Sequence, residues 1–427
     1  MSLIVKSSSP GTTILSSEKR RHLETMLESL NKDWKKILII APDFTRFHSQ
    51  AGELTQILYD ELKDRCEVDI IPALGTHTPV PEEQRIEMYG DIPADRFIVH
   101  NWRTDTVKIG TVPSSYIQEV SEGKLDFTVD SEVNKIIIEG GYDQIFSIGQ
   151  VVPHEVVGMA NGNKNIFVGV AGKDTIDKCH FLGAVYGMER MMGRADTPVR
   201  KVLNYMEDNF LSDLPIVYIQ TVLNKDETGH MALRGMYIGT GHEPFEAAAS
   251  LSGQLNLDLM DTPIKKTVVY LDPGEFKSTW LGCKAIYRTR MAIADGGELI
   301  IMAPGLREFG EDPDIDPLIR RYGYIGTPKI LEAVKQDKDL QGSLSAAAHM
   351  IHGSHEGRFS VTYCPGHLSR EEIEGVNFKY GDVKEMMTKY DPEKLKDGYN
   401  TVNGEKFFFV SNPAIGLWAL TSNFAEG

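Results

Sequence analysis

The stretch KILIIAPDFTR, residues 36–46, shows the pattern from which the fold can be predicted. Its first part, 36–41, is a continuous apolar run, which is typical of a strand buried on both faces of a sheet. The run stops at Pro42, and the polar residues Asp43 and Arg46 follow at once. Open α/β sheets bind ligands just beyond the carboxyl ends of their strands. This stretch therefore predicts a buried parallel strand that ends in ligand-binding groups.

The same pattern recurs through the first half of the chain. The apolar run 68–74 stops at Gly75-Thr76-His77, and the run 144–148 leads directly towards His154. Helix-like segments such as 50–65 separate these runs, and this alternation indicates a parallel sheet with covered faces. We expect strands in this half at 36–41, 68–74, 97–99, 135–139, 144–148, 216–222 and 231–238.

The alternation restarts after a boundary segment at 258–266. There we expect a helix over 276–294 and strands at 267–271, 298–302, 359–363 and 406–410. The predicted fold is α/β, with two Rossmann-like lobes, mostly parallel sheets and the active site in the crevice between them. The predicted domains are 4–262, with the cofactor-attachment and acid/base residues, and 263–425, with further substrate or cofactor contacts.

Composition excludes several classes of protein. The chain has 427 residues and a formal net charge of −16, which argues against a nucleic-acid-binding surface because phosphates require a basic stripe. No apolar run reaches the roughly 18 to 20 residues of a membrane-spanning helix, and no signal-peptide core is present near the start. We therefore expect a cytoplasmic protein with no membrane or nucleic-acid partner. The four cysteines are widely separated, so they predict neither a disulfide framework nor a thiolate zinc site.

Residues 145–181 place three chemically active side chains among small residues. His154 follows Pro153 near a strand end, like His77, and imidazoles suit acid/base catalysis near neutral pH. Lys164 lies in a glycine-containing loop, where it could bind an anion or form a covalent link to a cofactor. His180 closes a helix-like segment and could ligate a metal. Structural histidines and a surface lysine remain the alternative interpretation.

Other catalytic motifs are absent, with one exception that leaves an alternative open. No GxGxxG follows a strand, and no GxSxG or HExxH occurs. His349, His352 and His355 have HxxHxxH spacing, which would allow a zinc hydrolase. Gly353 is expected to end the helix between them and to place the cluster in a loop.

The motifs together resemble the nickel-dependent lactate racemase family. The resemblance is carried by DFTR at 43–46, LGTHTP at 74–79, SIGQVVPH at 147–154, and then Lys164 and His180 in the same order. It implies a two-domain α/β enzyme that carries a nickel pincer nucleotide, a pyridinium thioamide/thiocarboxylate mononucleotide derived from nicotinic acid.

The resemblance also implies a role for each matching residue. Lys164 would be the covalent attachment site of the nucleotide, and His180 would be the protein ligand to nickel. His77 and His154 would be the two acid/base residues. The remaining expected contacts to the cofactor, its phosphate or the substrate carboxylate are Asp43, Arg46 and Lys284.

The implied activity is racemisation or epimerisation at C2 of a 2-hydroxy acid, by reversible hydride transfer. Departures from the family pattern occur at Thr78, at 161–163 and at Trp280-Leu281, where substrate-pocket residues are expected. They predict a substrate other than lactate, larger or sugar-derived, with cofactor-maturation enzymes as partners. A non-catalytic protein that binds an anionic metabolite on the same fold is the alternative.

Overall fold

The computed structural model describes residues 2–8, 11, 13–30, 32–226, 228–414 and 416–424. The chain divides into two compact units. The first comprises residues up to 182 together with 191–256, and the second comprises 183–190 and the residues from 257 onwards. Among the described residues, no helix is both long and apolar enough to span a bilayer.

The first unit is built on a six-stranded sheet flanked by helices. The strands of this unit, including four outside the six-stranded sheet, are β1 (Leu3–Ser8), β2 (Lys36–Pro42), β3 (Glu67–Ala73), β4 (Thr106–Val112), β5 (Val129–Asn134), β6 (Gln144–Gln150), β7 (Pro153–His154), β8 (Gly158–Met159), β9 (Ile216–Lys225) and β10 (Met231–Gly239). The helices are α1 (Ser16–Leu30), α2 (Ala51–Leu62), α3 (Glu82–Tyr89), α4 (Ser114–Val120), α5 (Lys135–Glu139), α6 (Lys173–Tyr186), α7 (Met188–Met191), α8 (Pro198–Phe210) and α9 (Glu243–Leu255), of which α6 and α7 continue into the second unit.

The order of strands in this sheet is β1-β10-β9-β6-β2-β3, and β9, β6, β2 and β3 run parallel. In β2 every residue after Lys36 is buried, as its continuous apolar run predicts. Alternate residues of the parallel strands, such as Ile39, Ile148 and Ile219, share one apolar cluster. Burial on both faces explains why these strands read as unbroken apolar runs.

The second unit contains another six-stranded sheet, in the order β15-β14-β13-β12-β17-β16. The strands of this unit, including two outside the six-stranded sheet, are β11 (Leu257–Met260), β12 (Ile264–Tyr270), β13 (Ile293–Ala303), β14 (Ser360–Pro365), β15 (Lys379–Tyr380), β16 (Gly398–Val402), β17 (Glu405–Val410) and β18 (Leu417–Leu420). Its helices are α10 (Thr279–Gly282), α11 (Lys284–Thr289), α12 (Asp316–Tyr322), α13 (Thr327–Gln336), α14 (Lys338–Gln341), α15 (Leu344–Gly353), α16 (Arg370–Gly375) and α17 (Val383–Lys389). Only β16 and β17 pair antiparallel in this sheet, so the predicted α/β class with mostly parallel sheets is confirmed.

Three predicted elements are wrong. The β-branched run 135–139 is the helix α5, whose first turn is capped by the Asn134 side chain on the Ile136 N–H at 3.1 Å. Residues 97–99 form no strand and meet β3 only through a bridge to Ile70. The predicted helix 276–294 is two short helices, α10 and α11, and β13 already begins at Ile293.

Candidate active site

The first-unit candidates come from neighbouring strand ends. Strand β2 pairs in parallel with both β3 and β6, so the carboxyl ends of all three meet at one edge of the sheet. Asp43 directly follows β2, His77 lies in the turn after β3, and His154 follows β6. This edge is the expected ligand-binding edge of a parallel sheet.

His77 and Asp43 are in direct contact. The chain leaves β3 through Gly75, whose φ of +58° is in the left-handed region that favours glycine. The His77 backbone N–H closes the turn on the Leu74 carbonyl at 2.9 Å. This turn sets Nδ1 of His77 2.6 Å from Oδ2 of Asp43. The other carboxylate oxygen, Oδ1, accepts a hydrogen bond from the Thr45 hydroxyl at 2.5 Å.

The Asp43 carboxylate is held in its charged form although it is only 5% exposed. Burial by itself raises its pKa, but the charge and hydrogen bond of His77 outweigh that effect. The Thr45 hydroxyl and the charge of Arg46 act in the same direction, and the pKa of Asp43 falls to about 2. Asp43 is therefore an anion throughout the neutral range.

The loop that carries Lys164 has an unusual backbone and a buried support. Asn161 and Gly162 are consecutive left-handed residues, with φ of 68° and 64°. The guanidinium of the buried Arg200 donates to the carbonyls of Met159 at 2.8 Å and Asn161 at 3.0 Å. Burial lowers the pKa of Arg200 to about 9, against the opposing charge of Glu207. The Lys164 loop is thus held by hydrogen bonds from the buried, desolvated guanidinium of Arg200.

A π-helical turn, Asn165–Gly169, ties Lys164 to the His77 turn and to β6. The Gly75 N–H donates to the Gly169 carbonyl at 2.8 Å, and the Asn165 side chain donates to the Ile148 carbonyl at 3.0 Å. A Cβ on Gly169 would stand 2.6 Å from Cβ of Ala73, so only glycine permits this close approach. π turns inside helical segments occur frequently at functional sites.

The Lys164 amine lies in a desolvated, cationic environment. Burial is the main cause that lowers its pKa, the charge of Arg46 adds to it, and Glu155 opposes it, giving a value of about 8. Within the described part of the chain, no hydrogen bond or ion pair engages this amine. Lysine is rarely placed in this way without a reason, and a lowered pKa makes the amine a competent nucleophile near neutral pH.

His180 is oriented in a manner typical of a metal ligand. It lies within α6, which continues to Tyr186, so the prediction that the helix ends near His180 is wrong. Its Nδ1 is 2.6 Å from the Ile176 carbonyl, and because a carbonyl only accepts, Nδ1 carries the proton. Nε2 is then the atom with the lone pair, and this arrangement is common among ligating histidines. Burial lowers the pKa of His180, and the nearby charge of Lys164 lowers it further.

His154 is held differently from His77. It lies in the short antiparallel pair of β7 and β8, and it is 7% exposed. The Val156 N–H donates to its Nδ1 at 3.1 Å. The neighbouring Glu155 carboxylate is 3.9 Å from the same nitrogen, and its charge also acts on Lys164 and His180. Glu155 therefore links His154 electrostatically to Lys164 and His180.

The remaining candidates lie in the second unit. Lys284 is buried at the start of α11, with Nζ 5.7 Å from the centre of the Phe276 ring, and its role stays a prediction. Helix α15 ends at Gly353, as predicted, but His349 and His352 lie within this helix, so the prediction that the cluster lies in a loop is wrong.

The zinc-hydrolase alternative is contradicted by the surroundings of His349. Both of its ring nitrogens are held, Nδ1 by the Tyr287 hydroxyl and Nε2 by the Tyr324 hydroxyl, each at 2.8 Å. The described residues contain no group of three or more His, Cys, Asp or Glu side chains arranged for a metal ion. That finding concerns clusters, so the single ligand predicted at His180 stays a prediction.

Four contributors to the site were missed from the sequence. Thr45 and Glu155 adjoin residues that the motifs had singled out, so proximity could have found them. Gln150, the last residue of β6, is buried, and neither end of its carboxamide has a hydrogen-bond partner in the described structure. Nothing in the sequence pattern marked Arg200.

An Asp–His pair, a desolvated lysine and an oriented histidine near the carboxyl edge of a parallel sheet make this an α/β protein with a candidate site for acid/base chemistry and cofactor binding. Residues 6–192 match the model of the lactate racemase N-terminal domain family. Over these residues the chain is similar to that family, and the resemblance predicted from the motifs is confirmed.

Solved structures extend the similarity over the whole fold. A protein from Thermotoga maritima is 25% identical, with a TM-score of 0.82 over 96% of this chain and 99% of its own. The lactate racemase apoprotein from Thermoanaerobacterium thermosaccharolyticum is 16% identical, with a TM-score of 0.69 over 97% of this chain and 94% of its own. A comparison with curated proteins gives no significant match.

Proposed function

We propose that this protein is a racemase or epimerase that inverts C2 of a 2-hydroxy acid with a nickel pincer nucleotide attached to Lys164. The observation that carries the proposal is the Lys164 amine, which lacks a hydrogen-bond or ion-pair partner in the described structure and whose pKa is lowered to about 8. A residue that only bound an anion would gain nothing from a lowered pKa. A residue that must be acylated needs its neutral amine.

The surrounding residues fit the proposed cofactor. His180 directs the unprotonated Nε2 away from its helix carbonyl contact and would supply an imidazole ligand to nickel, a metal for which imidazole is suited. Arg46 stands close enough to Lys164 and Asp43 to alter the pKa of both and would meet the nucleotide phosphate or the substrate carboxylate. The buried carboxamide of Gln150 offers a further donor and acceptor near this edge.

The chain itself would supply orientation and proton transfer. When bound, the pincer nucleotide supplies the acceptor and donor of the C2 hydride. In the proposed reaction, His77 removes the substrate hydroxyl proton at Nε2, because Nδ1 is occupied by Asp43. His154 is proposed to exchange the hydroxyl proton when the opposite enantiomer reacts. Two bases of one type suit a reaction that must run from either configuration.

The proposed substrate is a 2-hydroxy acid other than lactate. The departures that motivate this proposal include Trp280, whose ring lies 4.6 Å from that of His349. This bulky side chain therefore packs against His349 within the second unit, while its backbone N–H donates to the Phe309 carbonyl at 2.8 Å. A screen of both enantiomers of short, branched and polyhydroxylated 2-hydroxy acids tests the proposal, and lactate as the best substrate would contradict it.

The cofactor is tested by producing the protein together with the maturation enzymes of the lactate racemase system. We expect an intact mass that includes one nucleotide adduct, with near-stoichiometric nickel. Lys164→Arg keeps the positive charge but should lose the adduct. His180→Gln should keep the adduct and lose nickel.

Lys173→Arg is a matched control, because Lys173 lies in α6 and pairs with Asp177; it should keep both adduct and nickel. A full adduct on Lys164→Arg would contradict the proposed attachment site. Absence of both adduct and nickel from the wild-type protein, under conditions that load a known lactate racemase, would favour a non-catalytic binding protein.

A further inference from the structure

The two proposed acid/base histidines differ in what faces Nδ1. At His77 it is the Asp43 carboxylate, 2.6 Å away, which can only accept a hydrogen bond. At His154 it is the Val156 backbone N–H, 3.1 Å away, which can only donate. Neutral His77 therefore carries its proton on Nδ1 and keeps the lone pair on Nε2.

Asp43 is built to impose this state on His77. Its two carboxylate oxygens are both engaged, one by His77 and the other by the Thr45 hydroxyl. The Arg46 N–H donates to the Asp43 carbonyl at 3.0 Å and fixes the turn in which the carboxylate sits. The other groups that interact with this carboxylate include the Arg46 guanidinium, the Lys164 amine and, from α3, the buried Tyr89, whose hydroxyl donates to the Pro42 carbonyl.

We propose that Asp43 is a positioning residue that fixes the Nδ1–H tautomer of His77, so that Nε2 of His77 is the nitrogen that receives the substrate proton. This rests on the proposed function. The substrate hydroxyl proton moves to Nε2 of His77, and the Asp43 carboxylate neutralises the imidazolium that forms. The electron pair of the O–H bond would become part of the new carbonyl bond, and the bound cofactor would supply the acceptor for the C2 hydride.

The first test uses cofactor-free protein labelled with ¹⁵N-histidine, with His77 assigned by its loss in His77→Gln. Long-range ¹H–¹⁵N correlation spectra at pH 8.5 distinguish protonated from unprotonated ring nitrogens. We expect a protonated Nδ1 and a lone-pair Nε2 at His77 in the wild type. In Asp43→Asn, the amide can donate to Nδ1, so the proton of His77 should move to Nε2.

Asp69→Asn is the matched control, because Asp69 is also a buried carboxylate, on the adjacent strand β3, and it accepts a hydrogen bond from Tyr142. It should leave the His77 spectrum unchanged. Thr45→Val removes only the hydroxyl on Asp43 and leaves the accepting carboxylate, so it should keep the Nδ1–H tautomer. Asp43→Ala, which removes the acceptor, should lose that preference and serves if Asp43→Asn folds poorly. A wild-type His77 protonated on Nε2, or a tautomer insensitive to Asp43→Asn, would overturn the proposal.

The second test uses the cofactor-loaded enzyme. Asp43→Asn should lower kcat on the order of 100-fold, the scale of acid/base catalysis, with KM changed less than about 3-fold. Asp43→Glu should recover part of the loss. A raised KM with unchanged kcat would make Asp43 a binding residue and overturn the proposal. If the wild type itself does not act on any hydroxy acid, the proposed function fails, while the tautomer result still supports the positioning role.

Discussion

His77 and His349 are both hydrogen-bonded histidines, yet their surroundings are opposite. His77 lies at the carboxyl edge of the first sheet, with Nδ1 on Asp43 and a side chain that is 27% exposed. His349 is 5% exposed, and both of its ring nitrogens are held by tyrosine hydroxyls. The ring of Trp280 packs against it at 4.6 Å. His77 is thus oriented through one ring nitrogen, whereas both ring nitrogens of His349 have hydrogen-bond partners.

This difference shows that whether the second ring nitrogen is already hydrogen-bonded distinguishes a histidine that can react from one that is structural. An imidazole can exchange a proton or bind a metal only through a nitrogen that the fold has not already engaged. The HxxHxxH spacing around His349 is typical of metal binding. In the structure, however, the His349 imidazole is hydrogen-bonded to the hydroxyls of two tyrosines. The predictions that follow test this contrast.

The largest effect is expected for His77→Gln in cofactor-loaded protein. The glutamine amide can still donate to Asp43, so the fold should survive, but no base is left at this position. We expect kcat to fall by about 10²–10⁴, measured by polarimetry on the best substrate from the screen, with a melting temperature near that of the wild type. Wild-type turnover in this variant would remove His77 from the mechanism.

His349→Phe should damage stability. The substitution leaves the Tyr287 and Tyr324 hydroxyls without their imidazole partner in a buried region, at a cost of about 2–4 kcal/mol in the free energy of unfolding. Urea unfolding followed by tyrosine and tryptophan fluorescence measures it. His367→Phe is the control, because His367 is exposed in the same unit, and it should change stability by less than about 0.5 kcal/mol. Equal effects at both positions would contradict the assigned structural role.

Lys164→Met should stabilise the cofactor-free protein. The folded-state pKa of Lys164, about 8, is below its usual 10.5, so below pH 8 the fold bears the full cost of a desolvated ammonium. That cost declines between pH 8 and 10.5 and vanishes above. We expect a gain of about 1–3 kcal/mol at pH 7 that disappears by pH 10.5, measured by chemical denaturation across this range. The exposed Lys135→Met is the control, and a destabilised Lys164→Met variant would contradict the assigned environment.

The smallest effect concerns the reactivity of Lys164 towards an acylating reagent. Because its pKa is about 8, its rate should rise only about fivefold between pH 7 and pH 8 and then level off. Exposed lysines should continue to rise about tenfold per pH unit over this range. Peptide mass spectrometry of the cofactor-free protein follows each lysine separately. A Lys164 rate that keeps rising with the exposed lysines would show an ordinary amine.

The sequence predicted the fold class well because the signals are local. Continuous apolar runs such as 36–41 and 68–74 reveal strands buried on both faces, and polar residues at their ends reveal the ligand edge. The strand predicted at 135–139 is wrong for a physical reason. Its isoleucines are typical of a strand, but Asn134 caps a helix at this position. Short apolar runs do not distinguish a strand from a helix by periodicity alone.

The sequence by itself determined the α/β class, the chain order of the motifs and the residue types available for acid/base and cofactor chemistry. Only the tertiary structure decided that Nδ1 of His77 is engaged by Asp43. It also decided that Arg200 supports the Lys164 loop and that His349 is saturated. These properties depend on hydrogen bonds between residues far apart in the chain and on burial. Neither is encoded in local spacing, because both arise only when separate elements pack together.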